Sequence, residues 1–389
     1  MRRPDCCPVC SSSGAFEFVA RTGVPAHQHQ ICATAEIARL VTKGDLALEC
    51  CPHCGFVFNA AFDPAKLNYG AGYDNTQDHS PAFKAHVDGL VEHLARTVGM
   101  NNARIVEVGC GQGSFLRALV SASPGSLGYG FDPSFRGDAD GAHPEIVFER
   151  RLYGADCSAI LADVVVCRHV IEHVPDPRRL LEAIRDALGS SDTARVFFET
   201  PCLEWILRHH VLWDLFYEHC SYFTADSLRL AFERSGFRVD KVMHVFSDQY
   251  LWLEATVQSG TATEAPGGAP EVAELARAYG MYEAELRARW LERLGILRQE
   301  GAVGVWGAGA KGVTFANLLD PDCELLDCVV DLNPGKQGRY VPGTGHPIVD
   351  YRQLGPRHVR NVILMNPNYR SENIELLQRE GLEVTLIAG

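Results

Sequence analysis

The chain has 389 residues, 46% of them hydrophobic and 22% charged, with a formal net charge of −13. That length suits two or three domains, and the acidic balance argues against a nucleic-acid partner, since such binding rests on Lys and Arg neutralising phosphates. No apolar run reaches the roughly 18 residues that span a membrane. The basic start Met1-Arg-Arg-Pro has no apolar segment behind it and is no secretory signal, so a cytoplasmic location is expected and the 14 cysteines read as thiols and metal ligands rather than disulfides.

The first elements are two knuckles, Cys7-Pro-Val-Cys10 and Cys51-Pro-His-Cys54. Two residues between cysteines let both thiolates reach one metal from a tight turn, and two such turns complete a tetrahedral zinc site. Cys6 and Cys50 adjoin the pairs, but the repeated Cys-Pro-x-Cys pattern selects Cys7, Cys10, Cys51 and Cys54 as ligands of a structural zinc. The 40 residues between the knuckles exceed those of a compact zinc ribbon and are expected to loop out of a module over 1–62.

Residues 61 to 100 read as a polar loop carrying Tyr69 and Tyr73, the latter a candidate cofactor contact, and then a helix from about Ala82 to Val98. The run Ile105-Val-Glu-Val-Gly-Cys-Gly-Gln-Gly113 follows: an apolar strand, an acid at Glu107, and glycines at 109, 111 and 113. A buried strand opening into a glycine turn lets a ligand lie against bare backbone. The dinucleotide fingerprint spaces its glycines one and then two residues apart to face a pyrophosphate. The spacing of one and one, with a carboxylate before the turn, suits a ligand with an ammonium group and no phosphate. The run resembles the cofactor loop of class I S-adenosylmethionine (SAM) methyltransferases. The next strand, Gly128–Asp132, ends in an acid 19 residues after Gly113, where a doubly wound sheet holds ribose hydroxyls. A third strand, Asp163–Cys167, leads into Arg168-His169-Val-Ile-Glu172-His173, which puts His169 beside the ligand.

The catalytic candidates lie in Asp214-Leu-Phe-Tyr217-Glu218-His219-Cys-Ser-Tyr222-Phe223. Histidine is the commonest general base because its pKa lies near operating pH, and an adjacent carboxylate tunes it. His219 is the candidate base with Glu218 as its neighbour, and Tyr217 and Tyr222 are candidate donors to a substrate carbonyl or its oxyanion. An SAM-binding α/β domain is expected over 63–258.

Ser259 to Pro270 reads as an exposed linker, and Glu271 to Glu300 as helical, with Gly280 and Gly295 set against a single unbroken helix. A second glycine turn follows the strand Ala302–Trp306: Gly307-Ala-Gly309-Ala-Lys311-Gly312, then a helix Val313–Leu319 and a strand Leu326–Asp331. This last α/β domain, 271–389, fits a ligand bearing a pyrophosphate, with Lys311 as a cation for its charge. Alone it would also suit a nicotinamide cofactor.

Taken together, the paired knuckles, the SAM loop, the Tyr-Glu-His-x-x-Tyr-Phe block and the terminal Gly-x-Gly-x-x-Gly half resemble the sugar C-methyltransferases of deoxysugar biosynthesis. The likeness extends to Val330–Gly338 and Val341-Pro342-Gly343. It implies a class I methyltransferase doubly wound sheet between an N-terminal zinc-binding module and a C-terminal Rossmann-like domain. It further implies methylation of a carbon beside a keto group in a nucleotide-linked sugar, with His219 as base and substrate held by Gly307, Gly309, Lys311 and Asn366. The family branch acting on thymidine-linked ketosugars has a tyrosine where this chain has Phe216, and a Trp-Asn element where it has Met365-Asn-Pro-Asn-Tyr369. O- or N-methylation of another small molecule and NAD-dependent oxidoreduction are the competing readings.

Overall fold

The computed structural model describes residues 6–67, 80–97, 100–137, 144–157, 160–189, 191, 193–258 and 269–389. Three sheets organise them.

The first sheet begins with β1 (Phe16–Pro25), β2 (Lys43–Cys50) and β3 (Val57–Asn59), all antiparallel. The segment between the knuckles does not simply loop out; it is the β1–β2 hairpin with a short helix, Ala35–Arg39, at its far end. Pairing of Phe16 with Cys50 returns the chain to its start and so brings the two knuckles together. Each knuckle closes in the same way, with the N–H of Cys7 donating to Ser12 O and that of Cys51 to Phe56 O, both at 2.9 Å.

The second sheet holds β4 (Arg104–Val108), β5 (Leu127–Phe131), β6 (Ile146–Glu149), β7 (Val164–Arg168) and β8 (Arg195–Pro201), all parallel. A two-residue strand, β9 (Ser221–Tyr222), leaves this region to pair with β3 as the fourth strand of the first sheet. The chain returns as the antiparallel pair β10 (Phe237–Val245) and β11 (Tyr250–Val257), giving the order β10-β11-β8-β7-β4-β5-β6. Alternate strand residues feed two cores. Val106, Val165, Cys167 and Phe198 pack with the helices Pro177–Leu188 and Ala225–Arg234, while Ile105, Val164, Val166 and Phe197 pack with Pro81–Thr97 and Ser114–Ser121. Cover on both faces explains why the central strand β7 runs Val164-Val165-Val166-Cys167 without alternation. The sequence-expected helix from Ala82 to Val98 is Pro81–Thr97, Val98 lying outside the described residues.

The third sheet is wholly parallel: β12 (Ala302–Trp306), β13 (Cys328–Val330), β14 (Ile348–Val349), β15 (Val359–Leu364) and β16 (Thr385–Ala388), in the order β14-β13-β12-β15-β16. The helix before it, Pro270–Glu300, is a single unbroken helix despite its two glycines. Gly280 serves close packing, since a Cβ there would sit 2.2 Å from the carbonyl oxygen of Phe18 on β1. Arg21 and Glu283 bridge the same contact at 2.7 Å. One core joins Val19 and Leu46 of the first sheet, Leu203 and Trp213, and Val303 and Phe315 of the third. The sequence boundaries at 62 and 258 therefore do not mark separate cores, and residues from all three sheets meet around one cleft.

Candidate active site

At the end of β4 the three glycines all take positive φ, 72° at Gly109, 53° at Gly111 and 80° at Gly113. A Cβ on Gly109 would lie 2.1 Å from Val170 and one on Gly113 2.4 Å from Phe148, so the turn is threaded between neighbouring elements as bare backbone. Asp132, just beyond β5, clamps it: its Oδ2 accepts the N–H of Gly111 at 2.9 Å, and its Oδ1 accepts the N–H and O–H of Ser134 at 2.7 and 2.6 Å. Glu107 is 3% exposed and its Oε2 has no hydrogen-bond partner among the described residues. Burial pushes its pKa up to about 8. A buried carboxyl with one unpartnered oxygen beside bare glycine backbone fits a ligand with a cationic end. Tyr73 lies outside the described residues.

A cavity of about 260 Å³ opens where the three sheets meet. The second sheet contributes His169, Glu172 and His173 past β7, Gln249 and Tyr250 at the start of β11, and the segment holding Asp214, Phe216, Glu218 and His219. The third contributes Gly307, Gly309, Lys311, Asp331 and Asn366, and the loop after β1 contributes His29. His169 has φ 53°, and its ring lies 3.4 Å from Glu172 Oε1 and 3.3 Å from Glu199 Oε2. Burial alone would lower its pKa; the two carboxylates outweigh that and raise it to about 9, so it is an imidazolium at neutral pH.

His219 packs against Phe216, with centroids 4.0 Å apart, and nearly perpendicular to His173 at 4.8 Å. Its Nδ1 is closed off from solvent and has no hydrogen-bond partner among the described residues. Burial, then the His173, His169 and His29 rings and Lys311, hold its pKa well below the usual histidine range. The expectation that Glu218 tunes this ring is corrected. The Glu218 carboxylate turns towards the first sheet, where Oε1 meets His27 Nδ1 at 3.0 Å and Oε2 accepts the N–H of Gln28 at 2.8 Å. Burial would raise the Glu218 pKa, but the His27 hydrogen bond and the nearby imidazoles hold it below the ordinary carboxylate range.

The two tyrosines do not line the cavity. The Tyr217 hydroxyl accepts the N–H of Asp63 at 2.8 Å and donates to Asp63 O at 3.1 Å, with its ring packed on Phe62. The Tyr222 hydroxyl meets both the N–H and the C=O of Phe216 at 3.1 Å, and the residue is locked into β9 opposite Val57. Both hydroxyls are bonded to backbone groups, of Asp63 and of Phe216.

In the third sheet, Gly312 must be glycine because a Cβ would fall 1.9 Å from Gly307 O. Asp331, at the ribose position of a dinucleotide fold, has both oxygens taken: Oδ2 accepts the N–H of Ala308 and Oδ1 that of Asn333, each at 2.8 Å. The expected phosphate cation Lys311 is already paired, with Nζ 2.8 Å from Asp214 Oδ2 and 3.3 Å from Gln249 Oε1. Asn366 Oδ1 accepts the Gln249 side chain at 3.1 Å, extending this bridge between the second and third sheets. The helix Ala310–Leu319 starts three residues earlier than its sequence pattern suggests, and its N-cap Gly309 offers no side-chain cap.

Sequence reasoning missed His29, Asp214 and Gln249 as cleft residues and quoted His173 without giving it a role. The folded loop after β1 alone brings His29 to Gly309, whose Cβ would lie 3.8 Å from its ring. The four cysteines Cys7, Cys10, Cys51 and Cys54 are buried, with Sγ–Sγ distances of 3.6 Å (Cys7–Cys54) and 3.5 Å (Cys10–Cys51). Thiolates 2.3 Å from a tetrahedral zinc lie about 3.8 Å apart, so the cluster has the dimensions of such a site.

Comparison with known proteins adds to this geometry. Residues 83–242 match the family described as a methyltransferase domain, and residues 253–381 match the C-methyltransferase C-terminal domain. The C-methyltransferase NovU of Streptomyces niveus is 25% identical over 318 residues, covering 75% of this chain and 73% of the relative. The ubiquinone biosynthesis O-methyltransferase of Salmonella paratyphi A is 31% identical over 111 residues, 27% of this chain and 45% of the relative. Among solved structures, the dimethyltransferase RosA of Streptomyces davawensis shares 22% identity with a TM-score of 0.35, covering 45% of this chain and 54% of that one. These matches make the chain a SAM-dependent methyltransferase. Among the described residues, no helix is long and apolar enough to cross a membrane.

Proposed function

We propose that this methyltransferase acts on a carbon next to a carbonyl, in a nucleotide-linked keto sugar, with His219 as the general base. The observation that carries the proposal is that His219 and the glycine turn of the third sheet line one cavity. The match of residues 253–381 to the C-methyltransferase C-terminal domain adds support. The working division is a zinc module over 1–62, a SAM-binding domain over 63–258 and a substrate-binding domain over 271–389.

Glu107, the backbone of Gly109, Gly111 and Gly113, and Asp132 would hold SAM, with His169 alongside. When bound, SAM supplies an electrophilic methyl carbon to the nucleophile the protein generates. A ring nitrogen of His219, neutral because its pKa lies well below 6.5, takes the proton from the substrate carbon. The electron pair of that C–H bond passes into the carbonyl as an enolate, and the imidazolium afterwards releases its proton to water. A depressed pKa makes His219 a weak base, but the cations that depress it, His169 and Lys311 among them, also stabilise the enolate.

For the nucleotide, the open N-terminus of Ala310–Leu319, the backbone of Gly307 and Gly309, and Lys311 suit a diphosphate. Asn366 lines the same wall. A structural zinc at Cys7, Cys10, Cys51 and Cys54 is part of the same reading, supported by the sulfur spacing.

The test is methyl transfer to a panel of nucleotide-linked keto sugars, with NMR assignment of the new methyl group. A methyl on carbon supports the proposal. A methyl on oxygen would favour the reading suggested by the ubiquinone-pathway relative.

A further inference from the structure

The cleft gathers metal-ligating atoms around the proposed base. One such atom from each of Glu172, His173 and His219 lies within 4.8 Å of the others. Glu172 is 1% exposed, and its Oε1 faces the His169 ring at 3.4 Å, while His219 Nδ1 makes no hydrogen bond among the described residues. A buried nitrogen left unsatisfied is costly, and an incoming group that satisfies it would recover that cost.

The three residues are also held from behind. Glu172 Oε2 accepts the Thr200 hydroxyl at 3.0 Å, and His173 Nδ1 lies 2.9 Å from Glu218 O. Carbonyl and hydroxyl partners of this kind commonly fix the orientation of metal-binding rings and carboxylates. The two imidazoles stand at 84° to one another, so they can address a common point without stacking. We propose that Glu172, His173 and His219 form a second divalent-cation site, separate from the four-cysteine cluster, and that its filling silences methyl transfer.

Two imidazoles and one carboxylate select zinc, cobalt or nickel over magnesium and calcium. The cavity leaves a fourth position open for water, as in sites with three protein ligands. Ligands 2.0–2.1 Å from a tetrahedral ion lie about 3.3 Å apart, so from separations of up to 4.8 Å the side chains close by at most about 1.5 Å. The ion must also displace the His169–Glu172 pair at 3.4 Å. Both requirements make this the weaker of the two sites and its occupation reversible. Silencing rests on His219 being the base, because a metal-bound imidazole has no lone pair left for the substrate proton; binding does not rest on that reading.

The experiment titrates cobalt(II) into purified protein whose zinc content has been fixed by elemental analysis. One further cobalt per chain should bind, with visible ligand-field bands but without the thiolate charge-transfer bands that sulfur ligands give. Glu172→Gln and His173→Gln should each weaken that binding at least about 10-fold, as loss of metal-site groups does. Cys10→Ser should not weaken it. In the wild-type enzyme, activity should fall in step with occupancy and return on adding EDTA. No saturable binding beyond the cysteine cluster, or binding unchanged in both variants, overturns the site. Full occupancy with undiminished activity overturns the silencing. A methyl group found on oxygen would sink the C-methylation reading while leaving the cobalt result to stand or fall by itself.

Discussion

Glu218 Oε1 lies 3.0 Å from His27 Nδ1, so the carboxylate next to His219 in sequence is bound to the loop after β1 and not to its neighbour. The consequence is electrostatic. His219 feels His173, His169, His29 and Lys311, all of which lower its pKa, and no carboxylate appears among its chief influences.

The neutral imidazole is the form that accepts a proton, and a depressed pKa keeps it neutral as the solution is acidified. The His219 contribution to kcat/KM should therefore persist down through pH 6.5 and be lost only well below it. Glu218→Gln should leave that acidic limb in place while lowering stability by about 1–3 kcal/mol, through the weakened buried hydrogen bonds to His27 and Gln28. A limb that moves in Glu218→Gln would restore Glu218 as the tuning group.

Tyr222→Phe removes a hydroxyl that serves both backbone groups of Phe216. Denaturant melts should show a loss of about 1–3 kcal/mol. Turnover per folded molecule should be unchanged, whereas a selective fall in kcat would mean that the hydroxyl acts on the substrate.

Asp132 holds the Gly111 amide as well as standing at the ribose position. Asp132→Ala should weaken SAM binding by about 1–3 kcal/mol in calorimetry, from lost charge-assisted hydrogen bonds. Unchanged affinity would remove Asp132 from the SAM site.

The amide-clamping pattern recurs in the third sheet, where Asp331 accepts the N–H groups of Ala308 and Asn333. If this turn holds a nucleotide sugar, NADH should show no saturable fluorescence change. Lys311→Ala breaks the 2.8 Å pair with Asp214 and should raise the KM of the sugar substrate while leaving SAM affinity alone. Saturable NADH binding would favour the oxidoreductase reading.

How much of this was legible in the sequence depends on how local the determining contacts are. The glycine turns were legible because backbone conformation at Gly109, Gly111 and Gly113 depends on the residues themselves. The strands β4, β5 and β7 were legible as runs ahead of the glycine turn, the acid and His169, but their order in the sheet was not. The knuckles were legible as a four-cysteine cluster, but the hairpin between them was not, because its register is fixed by pairing across the sheet. The surroundings of Tyr217 and Tyr222 were hidden for a related reason. A tyrosine beside a histidine looks chemical in one dimension, and only the pairing of β9 with β3 shows that Tyr222 belongs to the first sheet. His29 gave no signal, and Asp214 was legible only as the first residue of the catalytic block, since each becomes a cleft residue through contacts with a distant segment.

The most direct test of the central claim is exchange of the substrate's α-proton with solvent deuterium, followed by NMR with a non-methylating SAM analogue bound. The wild-type enzyme should exchange that proton, and His219→Ala should lose both exchange and methyl transfer by about 10²–10⁴-fold, the usual contribution of a positioned base. Methyl transfer to carbon that survives in His219→Ala would contradict the account.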